Sequence, residues 1–272
     1  MKKIAVILTS LLLSVLAFAG CGGQEQAAGQ NGQKVLKVGA TAVPHAEILE
    51  AAKPLLAKEG IELQIVEFSD YVQPNLALND KELDANFFQH EPYLKNFVTE
   101  HQEVKLANAG GIHIEPMGVY SKKVKDLKDL ADGAAVALPN DPTNGGRALL
   151  LLQRAGLIQL KEGVSEKATV NDIVSNTKNL KFQEIEAAQL PRTLDDVDAA
   201  VINTNFAMQA NLVPTKDALI IEDSTSPYVN IIAVRAGDEK RPEIETLLKV
   251  LKSEEIKNFI NDKYKGAVVP AF

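Results

Sequence analysis

The chain has 272 residues, a formal net charge of −7 and one cysteine. That length allows one large domain or two modest ones, and a 46% apolar fraction with 24% charged residues is globular composition. The acidic balance argues against nucleic acid as a partner, because phosphate binding needs basic patches. One cysteine excludes an internal disulfide, a thiolate zinc cluster and an iron–sulfur site, each of which needs several.

Lys2 and Lys3 precede fifteen uncharged residues, Ile4 to Phe18, and then Ala19, Gly20 and Cys21. A basic start, an apolar run and small residues at a cleavage point are the plan of a secretory signal over residues 1–20, and the run is short for a membrane span. Cys21 after Ala-Gly resembles the lipobox of bacterial lipoproteins, with Phe18 where that pattern most often has Leu. In such proteins the cysteine carries the lipid and becomes the first mature residue, and several acyl chains give stable anchoring. Gly22–Gln33 holds four Gly and four Gln among twelve residues. It reads as a flexible tether with an end-to-end distance of about 20 Å. Removal of residues 1–20, which carry two lysines and no acid, leaves 252 residues and a net charge of −9.

Beyond the tether, short apolar runs alternate with amphipathic stretches. Strands are expected at Val35–Ala40, Ile61–Phe68, Leu83–Phe88, Val104–Ala109, Pro116–Tyr120, Ala134–Leu138, Leu180–Ile185, Ala199–Ile202, Leu219–Ile221 and Asn230–Val234. Helices are expected at His45–Glu59, kinked or shortened by Pro54, and at Pro74–Asn79, Pro92–His101, Thr143–Ala155, Pro242–Lys252 and Glu254–Lys263. The alternation predicts an α/β fold with largely parallel sheets, long enough for two lobes. Ligands of such folds sit at the carboxyl ends of strands.

Three constellations fall in those places. Asn140-Asp141-Pro142-Thr143-Asn144-Gly145-Gly146-Arg147 follows a strand and opens a helix. Asn140 or Asp141 suits the N-cap and Pro142 the first turn. The Gly pair lets a ligand approach the backbone, and Arg147 offers a fork for a carboxylate. The same residues also suit a capped surface helix with a solvated Arg. Phe88, His90 and Tyr93, with Tyr71 in another loop, form an aromatic cluster suited to a thioether or to ordinary packing. Asn203-Thr204-Asn205 and Asn230 bring side-chain amides that can serve an ammonium and a carboxylate. Enzyme signatures are missing. His45, His90, His101 and His113 show no close metal spacing, Asp195, Asp196 and Asp198 read as a solvated turn, and no acid–base carboxylate pair stands out.

The stretches Phe87-Phe88-Gln89-His90-Glu91-Pro92-Tyr93-Leu94 and Asn140-Asp141-Pro142-Thr143-Asn144 with Arg147, the segment Asn203-Thr204-Asn205, Cys21 and the end Gly266–Phe272 resemble the methionine-binding lipoproteins of the NlpA/MetQ family. The resemblance covers essentially the whole chain. It implies a two-lobed periplasmic-binding-protein-like fold with a ligand cleft and two hinge crossings, near Ile114–Gly118 and Ser226–Asn230. Lobe one would be 34–115 plus 229–272 and lobe two 116–228. It further implies that Arg147 pairs with the ligand carboxylate, that Asn205 and Asn230 hold the amino and carboxylate groups, and that Tyr71, Phe88, His90 and Tyr93 surround the thioether, with Asn144 in the same site. No cofactor, catalytic residue or metal is implied. The partners would be L-methionine, or D-methionine, the permease and ATPase of an ABC importer, and a membrane through the lipid on Cys21; the chain would be a monomer on the extracytoplasmic face. The competing readings are the same fold for a Met-containing dipeptide or another apolar amino acid, a metal-binding lipoprotein using His90, and an enzyme of related fold.

Overall fold

The computed structural model describes residues 34–223 and 226–272. The signal, Cys21 and the tether lie outside the described residues. Among those described, no helix is long and apolar enough to cross a membrane.

The first segment lays down β1 (Lys34–Thr41), α1 (Glu47–Lys58), β2 (Ile61–Phe68), α2 (Gln73–Asn79), β3 (Ala85–His90), α3 (Glu91–Glu100) and β4 (Leu106–Ile114). The chain then passes to a second sheet with β5 (Gly118–Tyr120), β6 (Ala135–Pro139), α4 (Pro142–Arg154), the short pair β7 (Gln159–Leu160) and β8 (Ile173–Ser175), β9 (Lys181–Ile185), β10 (Ala199–Ile202), α5 (Thr204–Gln209), α6 (Pro214–Asp217) and β11 (Ile220–Ile221). It returns to the first sheet through β12 (Val229–Arg235), α7 (Pro242–Leu251), α8 (Glu254–Tyr264) and β13 (Val269–Pro270). The six-stranded sheet has the order β13-β4-β12-β3-β1-β2 and the five-stranded sheet β11-β5-β10-β6-β9. This is a two-lobed α/β fold in which the chain passes between the sheets twice, at 115–117 after β4 and again between β11 and β12.

The inner strands β6, β10 and β12 are covered on both faces, which is why they read as apolar runs, whereas the edge strands β2 and β9 stay partly exposed. On one face of the first sheet, Leu36 and Val38 pack with Ile48 and Leu49 of α1 and Ile244 and Leu247 of α7. The other face gathers Phe88, Leu94, Phe97 and Ile231. In the second sheet Val136 and Leu138 pack on Leu149 and Leu152 of α4, and Ala200 and Ile202 on Leu190 and Phe206.

Four expectations are corrected. The sheets are mixed rather than largely parallel: β1, β2 and β3, and β6, β9 and β10, pair in parallel, whereas β12, β13, β5 and β11 are antiparallel to their neighbours. Strands that carry the chain from one sheet to the other re-enter in the opposite sense. Helix α1 runs through Pro54 to Lys58. Pro54 is exposed, so the carbonyl it leaves free at Glu50 faces water, which can satisfy it. Strand β4 continues through Gly110-Gly111 to Ile114, five residues past its expected end. There an added Cβ on Gly111 would meet Val229 Cγ1 at 2.7 Å, so glycine lets β12 approach and marks the register shifts between the strands.

The fourth correction concerns Gly145 and Gly146. Asp141 caps α4 by accepting from Asn144 N, with Pro142 in the first turn. The glycines face protein, not a cavity. A Cβ on Gly145 would lie 2.9 Å from Pro139 O, and one on Gly146 would collide with the Glu166 carbonyl and sit 3.0 Å from Ala168 N. They let α4 pack against backbone. Gly146→Ala is therefore expected to destabilise the protein by roughly 1–3 kcal/mol through overpacking, outweighing the ~1 kcal/mol that Ala gains in helix propensity; a lowered urea midpoint would show it.

Candidate ligand-binding site

The carboxyl ends of β2, β3, β6 and β10 point to one place, and antiparallel β12 begins there. A cavity lies at that point, a cleft of the kind in which small ligands are held. All eight residues expected at the site line it: Tyr71 from the loop after β2, Phe88 and His90 from β3, Tyr93 from α3, Asn144 and Arg147 from α4, Asn205 from α5 and Asn230 from β12. Gln89, Glu115, Asn203 and Thr204 join them.

Two side-chain bridges cross the cavity. Tyr71 Oη donates to Asn205 Oδ1 at 2.6 Å. His90 caps α3 by accepting Tyr93 N–H at Nδ1 (3.1 Å), so its proton is on Nε2, which donates to Asn144 Oδ1 at 3.1 Å. Asn203 Nδ2 donates to the same Asn144 oxygen at 2.9 Å, while Asn144 Nδ2 is held by Asp141. The Tyr71 ring lies 5.7 Å from both Phe88 and Tyr93 and 4.9 Å from Phe206, forming an aromatic wall.

Two polar atoms are left over. Asn203 Oδ1 and Asn205 Nδ2 are buried with no hydrogen-bond partner among the described residues. Each unmet group costs about 1–3 kcal/mol. One is an acceptor and the other a donor, so a guest carrying both an ammonium and a carboxylate can satisfy both.

Burial, followed by the Arg147 charge, presses the His90 pKa down to about 3. Against an unfolded value of ~6.5, the unfolded chain binds more protons between these limits. The stabilisation is complete above about pH 6.5 and is lost as the pH falls toward 3, at ~1.4 kcal/mol per unit. Urea midpoints measured from pH 7 to pH 4 should fall, and should fall less in His90→Gln.

Arg147 is 3% accessible. Its Nε donates to Glu222 Oε1 and Oε2 at 2.8 and 3.0 Å, and its Nη2 to Glu222 and, at 2.7 Å, to the Glu115 carbonyl. The Tyr228 ring lies 4.3 Å from the guanidinium carbon. Burial works against this charge and Glu222 overrides it, raising the Arg147 pKa. Arg147 thus ties α4 to both passages between the sheets. Its Nη1 makes no hydrogen bond to the described residues, so that end of the fork remains for a guest.

Glu115 forms a second charged group. His113 Nε2 lies 2.7 Å and His45 Nε2 3.1 Å from Glu115 Oε1, and His45 Nε2 is also 3.0 Å from Asn230 Oδ1. Thr41 Oγ1 contacts His45 Nδ1 at 2.7 Å. Burial acts to raise the Glu115 pKa, but His45, then His113, hold it well below the ordinary carboxylate range. These three residues are also the group that can bring His and Glu ligand atoms together for a metal among the described residues. His90 is not part of it, and both its ring nitrogens are engaged.

Sequence reasoning missed Glu115 and Glu222. His113 and Glu115 are two apart at a strand end and share a face, a readable signal. Glu222 offered none beyond its place after an apolar pair. It also passed over α5, a six-residue helix that starts directly after β10 and carries Thr204 and Asn205.

The model of the NlpA lipoprotein family matches residues 36–272. The chain belongs to the NlpA lipoprotein family. It is 46% identical over 264 residues to the methionine-binding lipoprotein MetQ of Bacillus subtilis (strain 168), covering 96% of each chain. To the D-methionine-binding lipoprotein MetQ of Escherichia coli (strain K12) it is 42% identical over 261 residues, 95% of this chain and 94% of that one. Among solved structures, a nutrient binding protein from Burkholderia cenocepacia bound to methionine is 52% identical, with a TM-score of 0.84 over 87% of this chain and all of the other. Membership in the NlpA family therefore agrees with what the two motif stretches and the Cys21 context implied, and the two-lobed fold is shared with these relatives.

Proposed function

We propose that this NlpA-family lipoprotein captures free L-methionine between lobe 34–115 plus 229–272 and lobe 116–228, and delivers it to the permease and ATPase of an ABC importer. It acts by binding and release, as a monomer held on the extracytoplasmic face by lipid on Cys21. In this reading Nη1 of Arg147 and Nδ2 of Asn205 receive the carboxylate. Asn203 Oδ1 and the Glu115–Asn230 side of the cavity receive the ammonium, and Tyr71, Phe88, His90 and Tyr93 surround the thioether, whose sulfur suits ring edges. Asn144 fixes His90 and Asn203 in place.

The observation that carries the reading is the pair of unpartnered buried amide atoms on Asn203 and Asn205 beside Arg147 and an aromatic wall. The names of the relatives, which bind methionine or D-methionine, supply the ligand. Mass spectrometry of the small molecule released when purified protein is denatured tests it: methionine supports the reading, and a different amino acid, a peptide or a metal overturns the ligand.

A further inference from the structure

The charged side chains that line the cavity are Arg147 and Glu115, and each already has a partner inside the protein. Glu115 is held by His45 and His113. Arg147 has spent its Nε edge on Glu222, whose side chain is 11% accessible. Glu222 is fixed in turn by the Met117 N–H, which donates to Oε2 at 2.9 Å. Glu222 does not line the cavity. It meets the guanidinium from the position directly after β11, outside the cavity lining. A buried guanidinium with no such partner would bind a lone anion as its counter-ion, because an unpaired buried charge is costly. With Glu222 in place that charge is already balanced, so an incoming anion would be the unpaired one. A zwitterion brings its own compensation.

We propose that Glu222 sets the charge selectivity of the site: by neutralising Arg147 from outside the cavity lining, it makes the cavity accept a zwitterionic amino acid and reject an anion of the same shape. Glu222 is a positioning residue that never touches the ligand. The inference rests on the methionine reading above.

The test compares L-methionine with its des-amino analogue, 4-methylthiobutanoate, which keeps the carboxylate and thioether and lacks the ammonium. Competition calorimetry is run on the wild type, Glu222→Gln and Glu222→Asp. The wild type should favour methionine. In Glu222→Gln, which keeps the shape and an accepting oxygen for Arg147, the preference should shrink at least tenfold, about 1.4 kcal/mol. Glu222→Asp keeps the charge and should keep the preference, even where both affinities drop. An unchanged preference in Glu222→Gln overturns the inference, as does an equal shift in Glu222→Asp. A Glu222→Gln protein that no longer melts cooperatively overturns it too, because the residue would then hold the fold rather than tune the site. A folded wild type that binds neither compound counts against the methionine reading itself.

Discussion

Arg147→Ala should weaken methionine binding by about 3–5 kcal/mol, the range for removing one partner of a buried charge pair. The loss has two sources. The ligand carboxylate loses the Nη1 end of the fork, and the part-buried Glu222 carboxylate loses its cation and keeps, among the described residues, the Met117 N–H as its side-chain donor. The variant also severs α4 from the Glu115 carbonyl and from Tyr228, on the two passages between the sheets. Titration calorimetry gives the affinity and a melting curve separates binding loss from unfolding. A folded Arg147→Ala protein with wild-type affinity would remove Arg147 from the site.

Glu115→Gln should be the most damaging conservative change near the cavity. The carboxylate is the shared partner of two buried imidazoles, His45 at 1% and His113 at 0% exposure. Replacing it with an amide leaves His113 with a weakened bond at Nε2 and none at Nδ1. Breaking such a set costs about 3–5 kcal/mol, read as a lowered urea midpoint at neutral pH. The sign of the pH dependence is fixed by the depressed carboxylate pKa. The stabilisation from Glu115 is present above the unfolded carboxylate value and is lost as the pH falls through the folded one. The gap between wild type and Glu115→Gln should therefore be widest at neutral pH and narrow in acid. Affinity for methionine should drop in parallel, since Glu115 is the carboxylate that faces the ammonium in the proposed pose.

Much of this was legible in the chain because the relevant physics is local. Strands buried on both faces show as apolar runs, as at Ala199–Ile202, and Asp141-Pro142 marks the start of α4 in one glance at the caps. Tyr71, Asn144, Arg147 and Asn205 follow strands and Phe88 sits among the last residues of β3, and topology alone brings those strand ends together. What escaped depends on contacts distant in sequence. Gly110-Gly111 hid half of β4 because their reason is Val229 and Leu248, far along the chain. Gly145 and Gly146 suggested a ligand approach, while their true neighbours are Pro139 and the loop at Glu166. The partnership of Arg147 with Glu222 spans 75 residues and has no periodic signature. It converts a free carboxylate clamp into a balanced ion pair with one end open.

The proposed occupant of the cavity between the lobes is methionine. Titration calorimetry of L-methionine into protein that has been unfolded, dialysed free of small molecules and refolded tests it most directly. One saturable site per chain is expected, abolished or strongly weakened in Arg147→Ala. Refolded protein that melts cooperatively yet gives no heat with L-methionine would contradict it.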